Sequence, residues 1–87
     1  MPPSLEELDA RELARRSQAG SIDAFEALVT RYEQRLYAFL LKRTGRPADA
    51  EDVTQEAFLR AWQHLDRYDD RWAFSTWLFT IGSRLVT

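Results

Sequence analysis

Tyr68, Trp72, Phe74 and Trp77 fall within ten residues of one another, interleaved with Arg67 and Arg71. Flat π faces beside guanidinium groups are the combination that stacks unpaired nucleic-acid bases and holds their backbone by charge. A second set lies upstream: Asp52, Gln55, Glu56, Leu59 and Gln63 recur at i, i+3, i+4, i+7 and i+11, with Trp62 at their edge. On a helix this spacing makes one continuous stripe. Carboxylates and amides around an exposed leucine suit a protein interface that meets Lys or Arg on a partner. Neither set supplies the elements of an active site. The single histidine, His64, lacks a ligand-type neighbour at helical spacing and reads as a surface residue, so no catalytic residue, metal or cofactor is expected.

Helices must position both sets. Ser4-Leu5-Glu6-Glu7 has the form of a capping box, which predicts a first helix from residue 4 to about residue 19, stopped by Gly20 in the left-handed conformation. Ser21 then caps a second helix. Its apolar residues Phe25, Leu28, Val29, Tyr32, Leu36, Phe39 and Leu40 hold one face for more than four turns. Gly45-Arg46-Pro47 ends that helix and opens a third, with Pro47 in the first turn and Asp49, Glu51 and Asp52 where the helix dipole favours acids. The third helix is expected to reach about residue 65, with Ala50, Val53, Ala57, Ala61 and Leu65 facing the core.

Residues 66–73 are polar and aperiodic and read as a loop. Ser75 is the expected N-cap of a fourth helix that turns Leu78, Ile81 and Leu85 inward. Its other face carries Thr76, Thr80, Ser83, Arg84 and Thr87, short hydroxyls and one guanidinium that suit phosphate or base edges. The nucleic-acid set is therefore Arg67, Tyr68, Arg71, Trp72, Phe74, Ser75, Thr76, Trp77, Thr80, Ser83 and Arg84. For Phe74, a packing role is at least as well supported as base contact. The fold class is all-α, a compact bundle of about four helices with a reading loop between the third and fourth. The first helix occupies residues 1–20 and the main helical body residues 21–87, within a single domain overall.

Composition bounds these readings. At 87 residues, with 45% hydrophobic and 13% aromatic content, the chain is one small globular domain that buries about 60–65% of its unfolded surface. A net charge of −2 argues against a stand-alone duplex binder, because phosphate neutralisation needs a basic face. The charge is segregated: residues 27–46 are locally basic and residues 47–60 locally acidic. Without cysteine there is no disulfide framework. The opening residues lack a signal-peptide pattern, and no run approaches the ~20 apolar residues of a membrane span. A soluble cytoplasmic protein without membrane insertion is expected.

Several runs carry a family resemblance: Asp23-Ala24-Phe25-Glu26-Ala27-Leu28-Val29, Arg35-Leu36-Tyr37, Ala48-Asp49-Ala50-Glu51-Asp52, Thr54-Gln55-Glu56-Ala57-Phe58-Leu59-Arg60-Ala61-Trp62 and Phe74-Ser75-Thr76-Trp77-Leu78. Over about residues 10–87 the chain resembles the second conserved region of bacterial sigma factors, most closely the compact extracytoplasmic-function group. The resemblance implies a transcription initiation domain. Asp52, Gln55, Glu56, Leu59 and Trp62 would dock on the beta-prime clamp helices of core RNA polymerase, and Gln63 extends the same stripe. The loop and fourth helix would take the non-template strand of the promoter minus-ten element, with an extruded base held by residues 67–74, so that melting is coupled to reading. An anti-sigma factor is a further implied partner.

Three departures qualify that expectation. Thr80 and Ile81 stand where housekeeping sigma factors carry a tryptophan pair, which implies that melting demands a closer promoter match. Ile81-Gly82-Ser83-Arg84-Leu85 stands where the compact group commonly has Ile-Ala-Arg-Asn-Leu. Family members also continue into a helix-turn-helix domain for the minus-thirty-five element, so the sequence reads as part of a longer protein. The rival reading is a structural helical interaction module that does not bind DNA.

Overall fold

A computed structural model describes residues 4–86, and among them it contains four α-helices, two short 3₁₀ turns and no strand. The helices are α1 (Ala10–Gln18), α2 (Ile22–Thr44), α3 (Pro47–Gln63) and α4 (Phe74–Leu85). The 3₁₀ turns are Leu5–Glu7 and Leu65–Arg67. Thr87, expected on the polar face of the fourth helix, lies outside the described residues.

Helix α2 is the spine. Its 23 residues run about 35 Å at 1.5 Å per residue, most of the long dimension of a 44 × 24 × 19 Å body. It forms as the local chemistry requires. The Ser21 hydroxyl accepts from the Ala24 N–H at 3.1 Å, and Gly45 closes the helix at φ 72°, a left-handed conformation open to glycine at little steric cost. Phe25, Leu28, Tyr32, Leu36 and Leu40 form its buried stripe. Helices α1, α3 and α4 all pack against it.

The first helix begins later than the capping box at Ser4 suggests. Ser4 makes no side-chain cap bond, and residues 5–7 form only a 3₁₀ turn. Asp9 is the N-cap, its carboxylate accepting from the Glu12 N–H at 2.8 Å. Asp9-Ala10-Arg11-Glu12 repeats the capping spacing one turn on. That register places Leu13, Ala14 and Ser17 in the core, so burial selects between two caps of similar intrinsic strength.

Two further expectations shift by a fraction of a turn. In α3 the buried face is Ala50, Thr54, Ala57, Phe58 and Ala61, followed by Leu65 beyond its end, with Val53 only half-buried. Thr54 is tolerated inside because its hydroxyl donates to the Ala50 carbonyl at 2.6 Å. In α4 the N-cap is Ala73, so Ser75 lies within the first turn. Phe74, Leu78 and Gly82 are the buried residues of α4, and Ile81 and Leu85 sit half-buried at its edge. Gly82 faces α2: a Cβ there would lie 3.2 Å from Leu36 Cδ1 and 3.4 Å from Leu40 Cδ2. The missing side chain lets the two helices approach closely.

Candidate functional site

Two surfaces emerge, and they belong to different elements. The first is the outer face of α3. Asp52, Gln55, Leu59, Trp62 and Gln63 are exposed and Glu56 is half-buried, so the structure brings the sequence stripe together as one face. Leu59 is 50% exposed, an apolar side chain with no intramolecular reason to face water. The Trp62 ring rests on Phe25 of α2 with centroids 5.0 Å apart, which fixes its orientation while leaving it 38% exposed. Glu56 is tied to Arg60 one turn on, at 3.0 Å. Ile22, one turn before Phe25 on α2, is a further exposed apolar side chain, at 61%.

The second surface is the segment between α3 and α4. Its aromatic residues divide into an inner and an outer group. Tyr68 and Phe74, both counted among the nucleic-acid residues, are buried at 5% and 1% exposure. Their rings meet edge to face at 5.5 Å, and Trp77 packs on both at 5.3 and 5.8 Å. Tyr32 of α2 closes the cluster against Phe74 at 6.0 Å. Neither Tyr68 nor Phe74 offers a free face. The physical reason is that a small core gains about 1.5–3 kcal/mol from each large apolar side chain it buries, and these rings fill the gap under the loop.

Trp72 is the outer member, at 64% exposure. It does not hang on a slack loop. The Tyr68 hydroxyl donates to the Trp72 carbonyl at 2.6 Å, and the Trp72 N–H donates to the Asp69 carbonyl at 3.1 Å. Asp69 also accepts from the Arg71 backbone N–H and from its guanidinium, each at 2.9 Å. Helix α1 ties the segment down from outside. The Gln18 carboxamide donates to the Leu65 and Tyr68 carbonyls, both at 2.9 Å, and Arg15 holds the Asp70 carboxylate at 2.8 Å. No motif in the sequence links α1 to this loop. The signal was only that Arg15 and Gln18 are polar residues on a helix whose opposite face is apolar.

The electrostatics follow from these contacts. Burial raises the Tyr68 hydroxyl above its ordinary range, partly opposed by the nearby Arg11 guanidinium and reinforced by Asp70. The Arg71 side chain and backbone N–H hold the Asp69 carboxyl below its ordinary value. Of the remaining expected residues, Arg67, Arg71, Thr76, Thr80 and Arg84 are exposed, and Ser75, Trp77 and Ser83 are half-buried. Thr80 donates its hydroxyl proton to the Thr76 carbonyl at 2.7 Å, which leaves its oxygen as an acceptor. Thr76, Thr80 and Ser83 line a shallow groove toward α2 with Phe39 and Phe79, whose tilted rings lie 5.1 Å apart. Among the described residues no group of three or more His, Asp or Glu side chains could hold a metal ion, and no helix is long and apolar enough to cross a membrane.

Comparison with known proteins shows what the chain is similar to. A family model described as sigma-70 region 2 matches residues 28–87. The chain is 34% identical over 80 residues to the ECF RNA polymerase sigma factor SigW of Bacillus subtilis, covering 92% of this chain and 43% of that protein. It is 41% identical over 76 residues to the ECF RNA polymerase sigma factor BldN of Streptomyces coelicolor, covering 86% of this chain and 29% of the relative. The ECF RNA polymerase sigma-E factor of Escherichia coli is 41% identical over 77 residues, with coverage of 88% and 40%. The chain therefore spans less than half the length of each of these relatives. An engineered region 2 of sigmaE, solved by NMR in complex with GTAAAA, superposes with a TM-score of 0.85 at 36% identity, covering 93% of this chain and 84% of that one.

Proposed function

Because the chain belongs to the sigma-70 region 2 family, we propose that it is the promoter-reading and polymerase-docking domain of an extracytoplasmic-function sigma factor. The segment between α3 and α4 reads the non-template strand of the minus-ten element, and the outer face of α3 docks on the beta-prime clamp helices of core RNA polymerase. Where it works is then the cell interior, alongside the polymerase.

One observation carries the nucleic-acid reading: a large indole, Trp72, stands 64% exposed on a loop pinned by hydrogen bonds from three directions. An ordered, exposed aromatic is a preformed stacking platform, and base stacking contributes ~1–3 kcal/mol per base. Flipping a base out of the duplex costs a few kcal/mol, so one platform with flanking cations offsets much of that cost and couples melting to recognition. Tyr68 and Phe74 serve beneath it as the floor that fixes the loop. Arg67 and Arg71 precede Trp72 in sequence, and Thr76, Thr80, Ser83 and Arg84 extend the polar face along α4. The GTAAAA bound by the structural neighbour indicates the ligand class, a short A-rich single strand.

The docking reading rests on Leu59 and Trp62 within an acidic and amide rim. Desolvation of an apolar anchor at the centre of an interface is where binding energy concentrates, and Asp52, Gln55 and Glu56 are acceptors for basic partner side chains. An anti-sigma protein competing for this face would hold the factor inactive.

The test is fluorescence anisotropy with labelled GTAAAA and its complement, with and without a polymerase clamp fragment. The expected result is preference for GTAAAA, enhanced by the clamp fragment. Absence of binding to either strand would reduce the chain to a helical interaction module, and equal binding of both would remove the loop as the reader of sequence.

A further inference from the structure

Trp72 and helix α4 are joined through consecutive peptide groups. The Trp72 carbonyl accepts from the Tyr68 hydroxyl at 2.6 Å. The next carbonyl, that of Ala73, accepts from the Thr76 and Trp77 N–H groups at 3.1 and 3.3 Å and closes the first turn of α4. The exposed indole and the helix that carries Thr76, Thr80 and Ser83 are thus built outward from one short stretch of backbone, and Tyr68 holds its first carbonyl.

Local sequence does little to fix this junction. Side-chain bonds from Asp9 and Ser21 cap α1 and α2, and α3 opens on Pro47. Helix α4 follows Ala73 with no side-chain cap and no acid in its first turn, and Ser75, a residue of capping type, lies inside that turn. The indole has no hold of its own either. Among the described residues Trp72 enters none of the ring pairs that join Tyr68, Phe74 and Trp77, and it is exposed. Its direction is set through its backbone, whose N–H donates to the Asp69 carbonyl and whose C=O accepts from Tyr68. Tyr68 is a firm anchor, because its ring is packed against Phe74 and Trp77. Burial raises its hydroxyl above the ordinary range, so the group stays a donor at neutral pH.

Stacking by itself does not tell bases apart, since every base has a π face. Discrimination requires the stacked base to present its edge at a fixed offset from hydrogen-bonding groups, here the short hydroxyls of α4. That offset is what the bond between Tyr68 and Trp72 holds constant.

We propose that the Tyr68 hydroxyl is a positioning group that sets sequence preference without touching the strand, by registering the Trp72 platform against the hydroxyl row of α4. The proposal rests on the single-strand reading above and moves Tyr68 from base contact to alignment. Trp72 supplies affinity for any base, and Tyr68 makes that affinity selective.

Tyr68→Phe removes the hydroxyl and keeps the ring. Anisotropy titrations of the whole 87-residue chain with GTAAAA and with the scrambled strand AAGATA separate alignment from stacking. Tyr68→Phe is expected to weaken GTAAAA by roughly two- to tenfold, the scale of one hydrogen bond, and to leave AAGATA within about twofold. Trp72→Ala is expected to weaken both strands, by about 5- to 150-fold for one stacked base, and in that background Tyr68→Phe should change the remaining preference no further. Labelling with 5-fluorotryptophan gives a fluorine signal for each of the three tryptophans. The Trp72 signal, identified by its loss in Trp72→Phe, should shift and broaden in Tyr68→Phe while that of Trp62 stays in place. Tyr68→4-aminophenylalanine restores a donor at the same ring position and should recover both the preference and the signal.

Equal weakening of both strands by Tyr68→Phe would reduce the hydroxyl to a general stabiliser and overturn the positioning role, as would an unmoved Trp72 signal or an undiminished preference; the loop reading survives each of these. A wild type that binds the two strands alike overturns the loop reading and this assignment together, and it is the one outcome in which both fall.

Discussion

Gln18 and Tyr68 lie fifty positions apart in sequence, yet the Gln18 carboxamide donates to the Tyr68 carbonyl at 2.9 Å. The same nitrogen reaches the Leu65 carbonyl at 2.9 Å, which also accepts from the Tyr68 N–H at 3.1 Å, so one side chain of α1 supplies the Tyr68 carbonyl with its donor and Leu65 with a second one. A partly buried carbonyl without a donor costs about 1–3 kcal/mol. Gln18→Ala is accordingly expected to lower stability by about 1–3 kcal/mol, to speed amide exchange in residues 65–72, and to weaken single-strand binding without touching polymerase docking. Unaltered exchange in that segment would remove α1 from the account of how the loop is held.

Trp72 and Phe74, two residues apart, should respond in opposite ways. Trp72→Ala removes an exposed ring, so thermal stability should move by no more than about 0.5 kcal/mol, while affinity for GTAAAA falls by about 1–3 kcal/mol. Phe74→Ala empties a buried position and should cost about 3–5 kcal/mol of stability. Chemical denaturation paired with anisotropy reads both quantities. If Trp72→Ala binds as tightly as the wild type, the stacking platform lies elsewhere.

On α3 the expected phenotype is loss of docking with the fold intact. Gln55→Ala, Glu56→Ala and Leu59→Asp each alter side chains outside the core. Glu56 also loses an exposed ion pair with Arg60, a kind of contact worth about 0–1 kcal/mol. Binding to a clamp-helix fragment should fall by about 2 kcal/mol or more for a central anchor such as Leu59, with unchanged circular dichroism. Unfolding of these variants, or undiminished clamp binding, would place the docking face somewhere else on the molecule.

Acid and alkali should loosen the loop at opposite ends of the scale. The Tyr68 hydroxyl is raised above its unfolded value of about 10. Its contribution is therefore complete below that pH and is lost as pH rises through the higher folded value. Asp69 is lowered; its contribution is complete above about 3.9 and is lost as pH falls through the lower folded value. Spectrophotometric titration should show a tyrosine phase above that of free tyrosine that Tyr68→Phe removes. Absence of such a phase, or its persistence in Tyr68→Phe, would contradict the burial of the hydroxyl.

Gly82 reports on the seam between α2 and α4. Alanine there gains about 1 kcal/mol of helix propensity but sets a Cβ 3.2 Å from the Leu36 side chain, so Gly82→Ala should lie near neutrality. Gly82→Val adds bulk against Leu36 and Leu40, both fully buried, and should destabilise by about 1–3 kcal/mol in a thermal melt. A valine variant as stable as the wild type would mean that α4 can slide away from α2.

The helices and the α3 stripe were legible in the chain itself because their causes are local. Ser21 caps the residue three positions on, Gly45 takes the left-handed turn that ends α2, and Pro47 sits where a helix has no need of its N–H. Periodicity alone then puts Asp52, Gln55, Leu59 and Gln63 on one side of α3. The choice between Ser4 and Asp9 as the first cap was not legible, since both fit the local rule and only the burial of Leu13 and Ala14 decides between them. Nor was the sorting of the aromatics. Tyr68, Trp72, Phe74 and Trp77 are alike as residue types, and what sends Tyr68 and Phe74 inward and leaves Trp72 outside is contact with Tyr32 on α2 and the hold of Arg15 and Gln18 on α1. Local propensity acts over a few bonds, whereas the face a ring shows to solvent is settled by neighbours that only the folded chain brings together.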